Sequence, residues 1–376
     1  MFVRFLATLL LAGGLGFSSA TVGAQPARPD AIPMPVALDE MRRVVESASQ
    51  PGAPWGGPTA GPAGQPEKII ALVCEDLRNG GILGVAKGVQ EATSIMGWSI
   101  RVFDAGGTPD GRRKSLADAF AAKPDGVILV GGDAMAQRTN LLPFARKRIP
   151  IVGWHVGPQA GTLREGPVAM NVSTDPIEVA RVTAMAAVSA AKGKAGVVIF
   201  TDSNFAIALA KSEAMAKIIK ACPECTLLEV RDLAISRSTE QVPGVTRQLL
   251  TTHGERWTHA LAINDIYFDY AVPELTRAGL LSDRLQLLSA GDGSAAAFTR
   301  IRARAFQTAT VAEPLNLHGW QLVDELNRLL AGQPVSGYVI PVHLVTGSNV
   351  HYDGGPHFRY DPDNGYREIY RRIWKR

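Results

Sequence analysis

Acidic and amide side chains stand where the chain's apolar runs stop. Ile69-Ile70-Ala71-Leu72-Val73 ends at Glu75 and Asp76, with Asn79 close behind. Other runs end at Trp154-His155, at Asp202 and Asn204, at Asn264-Asp265, at Asp292 and at Glu313, and Asp175 precedes Pro176. A carboxylate offers acceptors to hydroxyl donors, and an amide offers both a donor and an acceptor. With Trp154 and Trp320 as apolar area, that is the chemistry of a sugar or polyol pocket, a few placed polar groups beside aromatic surface. A hydrogen bond to a charged group adds about 1.5–3 kcal/mol, so four or five support tight binding. The candidate ligand contacts are Glu75, Asp76, Asn79, Trp154, His155, Asp175, Asn204, Asn264, Asp292 and Glu313. Asp and Asn in such places are also turn formers and helix N-caps. That competing reading applies to each of them singly, and to Asp175 before Pro176 most directly. Recurrence at almost every strand end favours a shared pocket.

Reaction chemistry finds less support. There is no Gly-x-Ser-x-Gly nucleophile elbow and no Gly-rich phosphate loop ending in Lys-Ser/Thr. Gly80 and Gly81 follow the first run, but Glu75 and Asp76 beside them repel a phosphate. His351 and His357 lack metal-ligand spacing and read as surface residues. A hydrolase working through two carboxylates about 5–10 Å apart stays open, although no signature demands it. No cofactor and no metal are expected.

The elements that must position these residues alternate. Apolar runs at 69–73, 100–103, 127–130, 149–155, 196–200, 226–230, 260–263, 285–290 and 306–311 read as strands. Between them lie stretches of helical periodicity, among them 82–96, 116–122, 141–148, 206–221, 242–252 and 270–278, with 317–330 after the last. Nearly continuous apolar strands alternating with helices indicate parallel sheets covered on both faces. The order strand, acidic-amide loop, helix, strand occurs at 69–103 and again at 196–230, which predicts two α/β lobes. The division expected is 68–173 plus 314–340 for the first lobe and 174–313 plus 341–376 for the second, joined by a multi-strand hinge. Residues 25–67, rich in Gly, Pro and Ala after a short amphipathic stretch, read as an N-terminal arm or linker, with Trp55 suggesting that it packs on the body.

The 376 residues are 46% hydrophobic and 20% charged, with a net charge of +4 and no basic stripe, so nucleic acid is not an expected partner. Met1 to Ala24 reads as a secretory signal peptide: Arg4, an apolar run over 5–17, and the small-residue site Val22-Gly23-Ala24. A soluble, exported, monomeric protein of the periplasm is expected. Cys222 and Cys225 form a Cys-Pro-Glu-Cys turn, which suits a redox motif in a reducing compartment and a structural disulfide in an oxidising one. Export favours the disulfide. Cys74 reads as a small buried hydrophobe.

Residues 68 to about 345 resemble the periplasmic sugar-binding proteins of the ribose-binding type, the solute receptors of ABC importers. The resemblance rests on Gly84-Val85-x-x-Gly88 after the first loop, Lys123-Pro124-Asp125-Gly126-Val127-Ile128, Ile149-Pro150-Ile151-Val152, Ala262-Ile263-Asn264-Asp265, Ser289-Ala290-Gly291-Asp292-Gly293 and Thr310-Val311-Ala312-Glu313-Pro314. It implies the type I periplasmic-binding fold, a sugar or polyol held between the lobes by hinge closure, and a membrane ABC permease as partner. It implies ligand contacts at Asp76, Asn79, Trp154, His155, Asp175, Asn264, Asp292 and Glu313. In ribose binders an Asp-Arg pair occupies the place of Trp154-His155, a Gln that of Glu313, and an aromatic pair that of the first-loop glycines, so this pocket is rebuilt. A receptor signalling to a membrane kinase or chemoreceptor would use the same pocket.

Overall fold

The computed structural model describes residues 34–52 and 54–376. The expected signal peptide, Met1 to Ala24, lies outside the described residues. Among the described residues no helix is long and apolar enough to cross a membrane.

Helix α1 (Met34–Ala48) opens the described chain. The first lobe then runs β1 (Ile69–Cys74), α2 (Gly80–Met96), β2 (Ser99–Asp104), α3 (Pro109–Ala121), β3 (Gly126–Val130), α4 (Arg138–Arg146), β4 (Ile151–Trp154), β5 (Gly161–Thr162) and β6 (Met170–Val172). The second lobe runs α5 (Pro176–Ala190), β7 (Gly196–Thr201), α6 (Ala206–Ala221), β8 (Thr226–Asp232), α7 (Ser238–His253), β9 (His259–Ala262), α8 (Ile266–Arg277), β10 (Gln286–Ser289), α9 (Ala295–Ala303) and β11 (Gln307–Val311). The chain ends with α10 (Leu315–Leu330), β12 (Leu344–Thr346), α11 (Val350–Asp353) and α12 (Tyr366–Trp374).

Two six-stranded sheets result, ordered β2-β1-β3-β4-β6-β5 and β12-β11-β10-β9-β7-β8. Each is parallel apart from one antiparallel edge strand, β5 against β6 and β12 against β11. The two-lobed α/β architecture expected from the alternating pattern is the one observed. β1, β3 and β7 are buried almost throughout because helices cover both faces. Helix α3 starts seven residues earlier than its periodicity suggests, since Thr108 caps the Gly111 N–H and Pro109 opens the first turn. The chain passes between lobes after β6, after β11 and after α10.

Helix α10 returns to the first lobe and crosses α2 tightly. A Cβ on Gly88 would fall 2.5 Å from the Asn316 carbonyl oxygen, so glycine is needed for the backbones to approach. The outer face of α10 carries residues usual on a surface, yet Asn316, Gln321, Asp324, Asn327 and Arg328 are buried. The arm and the C-terminal helix cover this face and bond to Asn316, Asp324, Asn327 and Arg328. Asn327 donates to the Pro62 carbonyl at 3.1 Å and accepts from Gln65 N–H at 2.9 Å, Trp374 Nε1 donates to Asp324 at 2.8 Å, and Asn316 donates to Tyr366 Oη at 2.7 Å.

This placement corrects part of the expected division. That division places residues 341–376 in the second lobe. β12 does pair there, but α12 buries Tyr366, Tyr370, Ile373 and Trp374 in the first lobe's core. Trp374 stacks on Trp320 at 5.4 Å, so Trp320 is core and not a pocket wall. Arm residues touch both lobes. The apolar side of α1, including Leu38, Met41 and Val45, lies on the second lobe's core. Trp55 lies 5.4 Å from both Tyr338 and Tyr370 on the first.

Cys222 and Cys225 are disulfide-bonded at the end of α6. Cys74 is buried, and burial, with Asp104 adding to it, pushes its thiol up to about 12, which leaves it unreactive.

Candidate functional site

The carboxyl ends of both sheets face one cavity of about 530 Å³. Open α/β sheets bind ligands at this edge because loops and helix N-termini converge there. Of the expected site residues, Glu75, Asp76, Asn79, Trp154, His155, Asn204, Asn264 and Asp292 line it. Two do not. Asp175 is exposed and caps α5, accepting from the Ile177 and Glu178 N–H groups at 2.8 and 3.1 Å, so the capping reading holds for it. Glu313 is buried behind the wall and meets the cavity through His155 and the Lys211 ammonium.

The first-lobe wall comes from the loop after β1. Glu75 accepts from Arg112 Nε at 2.8 Å, and Asp76 accepts from Arg78 Nε at 2.9 Å. Both carboxylates are thus held by cations rather than left free for a ligand. Asn79 Oδ1 caps α2 by accepting from Gly81 N–H at 2.9 Å, and the residue lines the cavity. Arg112 also reaches across the cleft, its guanidinium 5.4 Å from the Phe205 ring of the second lobe.

After β4 the chain turns with His155 at φ 53°, in the left-handed region. That turn lays the imidazole flat on Trp154 at 3.7 Å between ring centres. Trp154 Nε1 donates to His318 Nδ1 at 3.1 Å, and His155 Nε2 lies 2.9 Å from both Glu313 carboxylate oxygens. Trp154 is therefore a support for His155 more than an open aromatic face.

The second-lobe wall is built on its own strand ends. Asn264 accepts from Ile266 N–H at 3.0 Å and donates to Asp292 Oδ2 at 2.7 Å, which fixes that carboxylate with Oδ1 left over. Asp202 accepts from Asn204 and from Ile235 N–H at 2.8 Å and is a loop organiser. Lys211 is buried on α6, donating to the Ala290 carbonyl at 2.8 Å with its ammonium 3.9 Å from Glu313.

Burial, against the pull of Lys211, pushes Asp292 up to about 6. Burial acts the same way on Glu313, but the hydrogen bond from His155 and the charge of Lys211 outweigh it and hold that carboxyl well below the usual range. Burial lowers His318 to about 4, so it stays neutral. Ligand atoms of His155, Asp292 and Glu313 lie within 4.8 Å of one another, a spacing a metal could use. The Lys211 ammonium and the His155–Glu313 bond already compensate that cluster, so its donor set does not call for a cation.

Arg78, Arg112 and Lys211 also line the cavity, and nothing in the sequence marks them as pocket residues. Arg112 and Lys211 sit inside helices where a lone cation reads as solvent-facing, and only the strand pairing that brings α3 and α6 to the cleft exposes their role.

The chain belongs to the periplasmic binding protein domain family, whose model matches residues 70–334. Among solved structures it is similar to an ABC transporter solute-binding protein from Agrobacterium vitis with bound allitol, at TM-score 0.66 and 19% identity, covering 76% of this chain and 97% of that one. It is similar to another from Bacillus halodurans with bound myo-inositol, at TM-score 0.66 and 16% identity, covering 76% and 96%. A second Agrobacterium vitis protein, bound with α-D-tagatopyranose, gives TM-score 0.68 and 16% identity over 78% and 99%. At these identities the likeness is one of fold. No curated protein matches the sequence significantly.

Proposed function

We propose that this member of the periplasmic binding protein family is the solute receptor of an ABC importer and holds a small neutral sugar or polyol between its lobes. The observation that carries this reading is the cavity of about 530 Å³ walled by strand-end side chains of both sheets. Asp292, oriented by Asn264, accepts a ligand hydroxyl. Asn79, Asn204 and Lys211 supply further polar contacts, and Ile82 and Phe205 supply apolar ones. Proteins of the same fold hold allitol, myo-inositol and tagatopyranose.

The charge pattern supports a neutral ligand. Arg78, Arg112 and Arg237 are each paired, with Asp76, Glu75 and Glu240. Lys211 remains, set against Asp292 and the buried Glu313. No surplus of positive charge awaits a phosphate or a sugar acid. Because each wall belongs to a different lobe, a ligand touching both favours the closed arrangement. The protein acts in the periplasm as a monomer, makes and breaks no bond, and delivers its ligand to a membrane permease.

A thermal-shift screen of the purified protein against pentoses, hexoses, hexitols, inositols, sugar acids and sugar phosphates tests this. A neutral member at 100 times its dissociation constant adds about 2.7 kcal/mol of stability. Stabilisation by the acids or phosphates alone, or glycoside cleavage on incubation, overturns the reading.

A further inference from the structure

Glu313 occupies a position from which it cannot touch a ligand, yet it is tied to a residue that can. Its side chain is fully buried, and both carboxylate oxygens lie 2.9 Å from His155 Nε2. An ionised carboxylate only accepts hydrogen bonds, so the nitrogen facing it must carry the hydrogen. His318 cannot take that place, because its Nδ1 already accepts from Trp154 Nε1 at 3.1 Å and stands 3.4 Å from the other side of Glu313. The second nitrogen of His155 points the other way. Nδ1 lies 4.0 Å from Asp292 Oδ1, too far for a direct bond, and both residues line the cavity. Among the described residues no group donates to Nδ1.

We infer that Glu313 is a positioning residue: it holds the proton of His155 on Nε2, so that Nδ1 faces the cavity beside Asp292 as an acceptor for a ligand hydroxyl. This deepens the proposed function and rests on it for the ligand, but not for the state of the ring. The Trp154 stacking at 3.7 Å and 10° keeps the imidazole plane from turning, so the tautomer decides what the cavity meets. The charged and titratable groups around the pair are Lys211 from α6, Asp292 after β10, Asp265 after β9 and His318 on α10. Lys211 helps keep Glu313 ionised and so keeps the arrangement one-sided. A glutamine at 313 has both a donor and an acceptor and would permit either tautomer.

The test begins without ligand. Long-range ¹H–¹⁵N spectra of histidine-labelled full-length protein at pH 8, with His155 assigned by its loss in His155→Phe, should show a neutral Nε2–H ring. In Glu313→Gln a share of the ring should move to Nδ1–H. A wild-type ring that is Nδ1–H or doubly protonated at that pH overturns the inference, as does a Glu313→Gln spectrum identical to wild type. Calorimetric titrations with allitol, myo-inositol and D-tagatose form the second arm. Glu313→Gln and His155→Phe should each weaken the best binder by at least about tenfold, and the double variant should bind no worse than His155→Phe alone. A further tenfold loss in the double variant means that Glu313 acts independently and overturns the inference. If none of the three sugars binds, the ligand class of the proposed function fails while the spectra still decide the role of Glu313. Near-ultraviolet circular dichroism checks that each variant is folded, and the wild-type spectrum needs no variant to fold except the one used for assignment.

Discussion

Gly81 in the first turn of α2 and Asp292 after β10 meet across the cleft so closely that a Cβ on Gly81 would fall 2.2 Å from Asp292 Oδ2. Asp292 itself is pinned by Asn264 and cannot retreat freely. The two lobes therefore close on a point where only glycine leaves room for the carboxylate.

Gly81→Ala should hold the lobes apart at this point while leaving each lobe folded. Ligand affinity should fall by about tenfold or more, and small-angle scattering of the ligand-loaded protein should show a larger radius of gyration than wild type. An unchanged affinity means that Asp292 can move aside and that this contact does not limit closure.

Acidification should weaken binding. Asp292 is raised to about 6 by burial, against the pull of Lys211. A ligand hydroxyl donating to it prefers the carboxylate, so binding lowers this pKa and releases a proton near pH 6. Affinity should be level above about pH 7 and drop as pH falls through 6, and titrations in buffers of different ionisation enthalpy should register the released proton. Affinity that rises on acidification would contradict the assignment of Asp292 as an acceptor.

Trp55 tests whether the arm belongs to the body. Its ring packs on Tyr338 and Tyr370, and its Nε1 donates to the Pro58 carbonyl at 3.1 Å. Trp55→Ala should lower stability by roughly 1–3 kcal/mol, below the cost at a fully buried tryptophan because the side chain is only half-buried. Denaturant unfolding measures this, and a loss under about 0.5 kcal/mol would mean that the arm is only draped on the surface.

The fold was legible where burial leaves a plain mark. β3 and β7 are apolar runs because both of their faces are covered. Asn264 and Asp292 were legible as site residues because they stand where strands stop. Asp175 stands in a similar place and is a cap, since Pro176 right after it starts a helix whose first N–H groups take up its carboxylate. Glu313 follows a strand too, but its partner is His155, distant in sequence and brought close only by the fold. The outer face of α10 could not be read correctly from its residues alone. Asn327 and Arg328 look like solvent-facing positions until the arm and α12 are laid over them. α12 itself was obscured by the Gly-Pro-rich tail around it, although Tyr366, Tyr370, Ile373 and Trp374 fall at helical spacing.

The claim that this cleft binds a neutral polyhydroxy ligand through Asp292 is tested most directly by calorimetry. The best ligand from the thermal-shift screen is titrated into wild type and into Asp292→Ala. The account predicts one site per chain in the wild type and a loss of about 100-fold in the variant, about 2.7 kcal/mol and within the roughly 1.5–3 kcal/mol of a hydrogen bond to a charged group, with the apo melting temperature preserved within a few degrees. Equal affinity in the two proteins would place the ligand elsewhere and contradict the account.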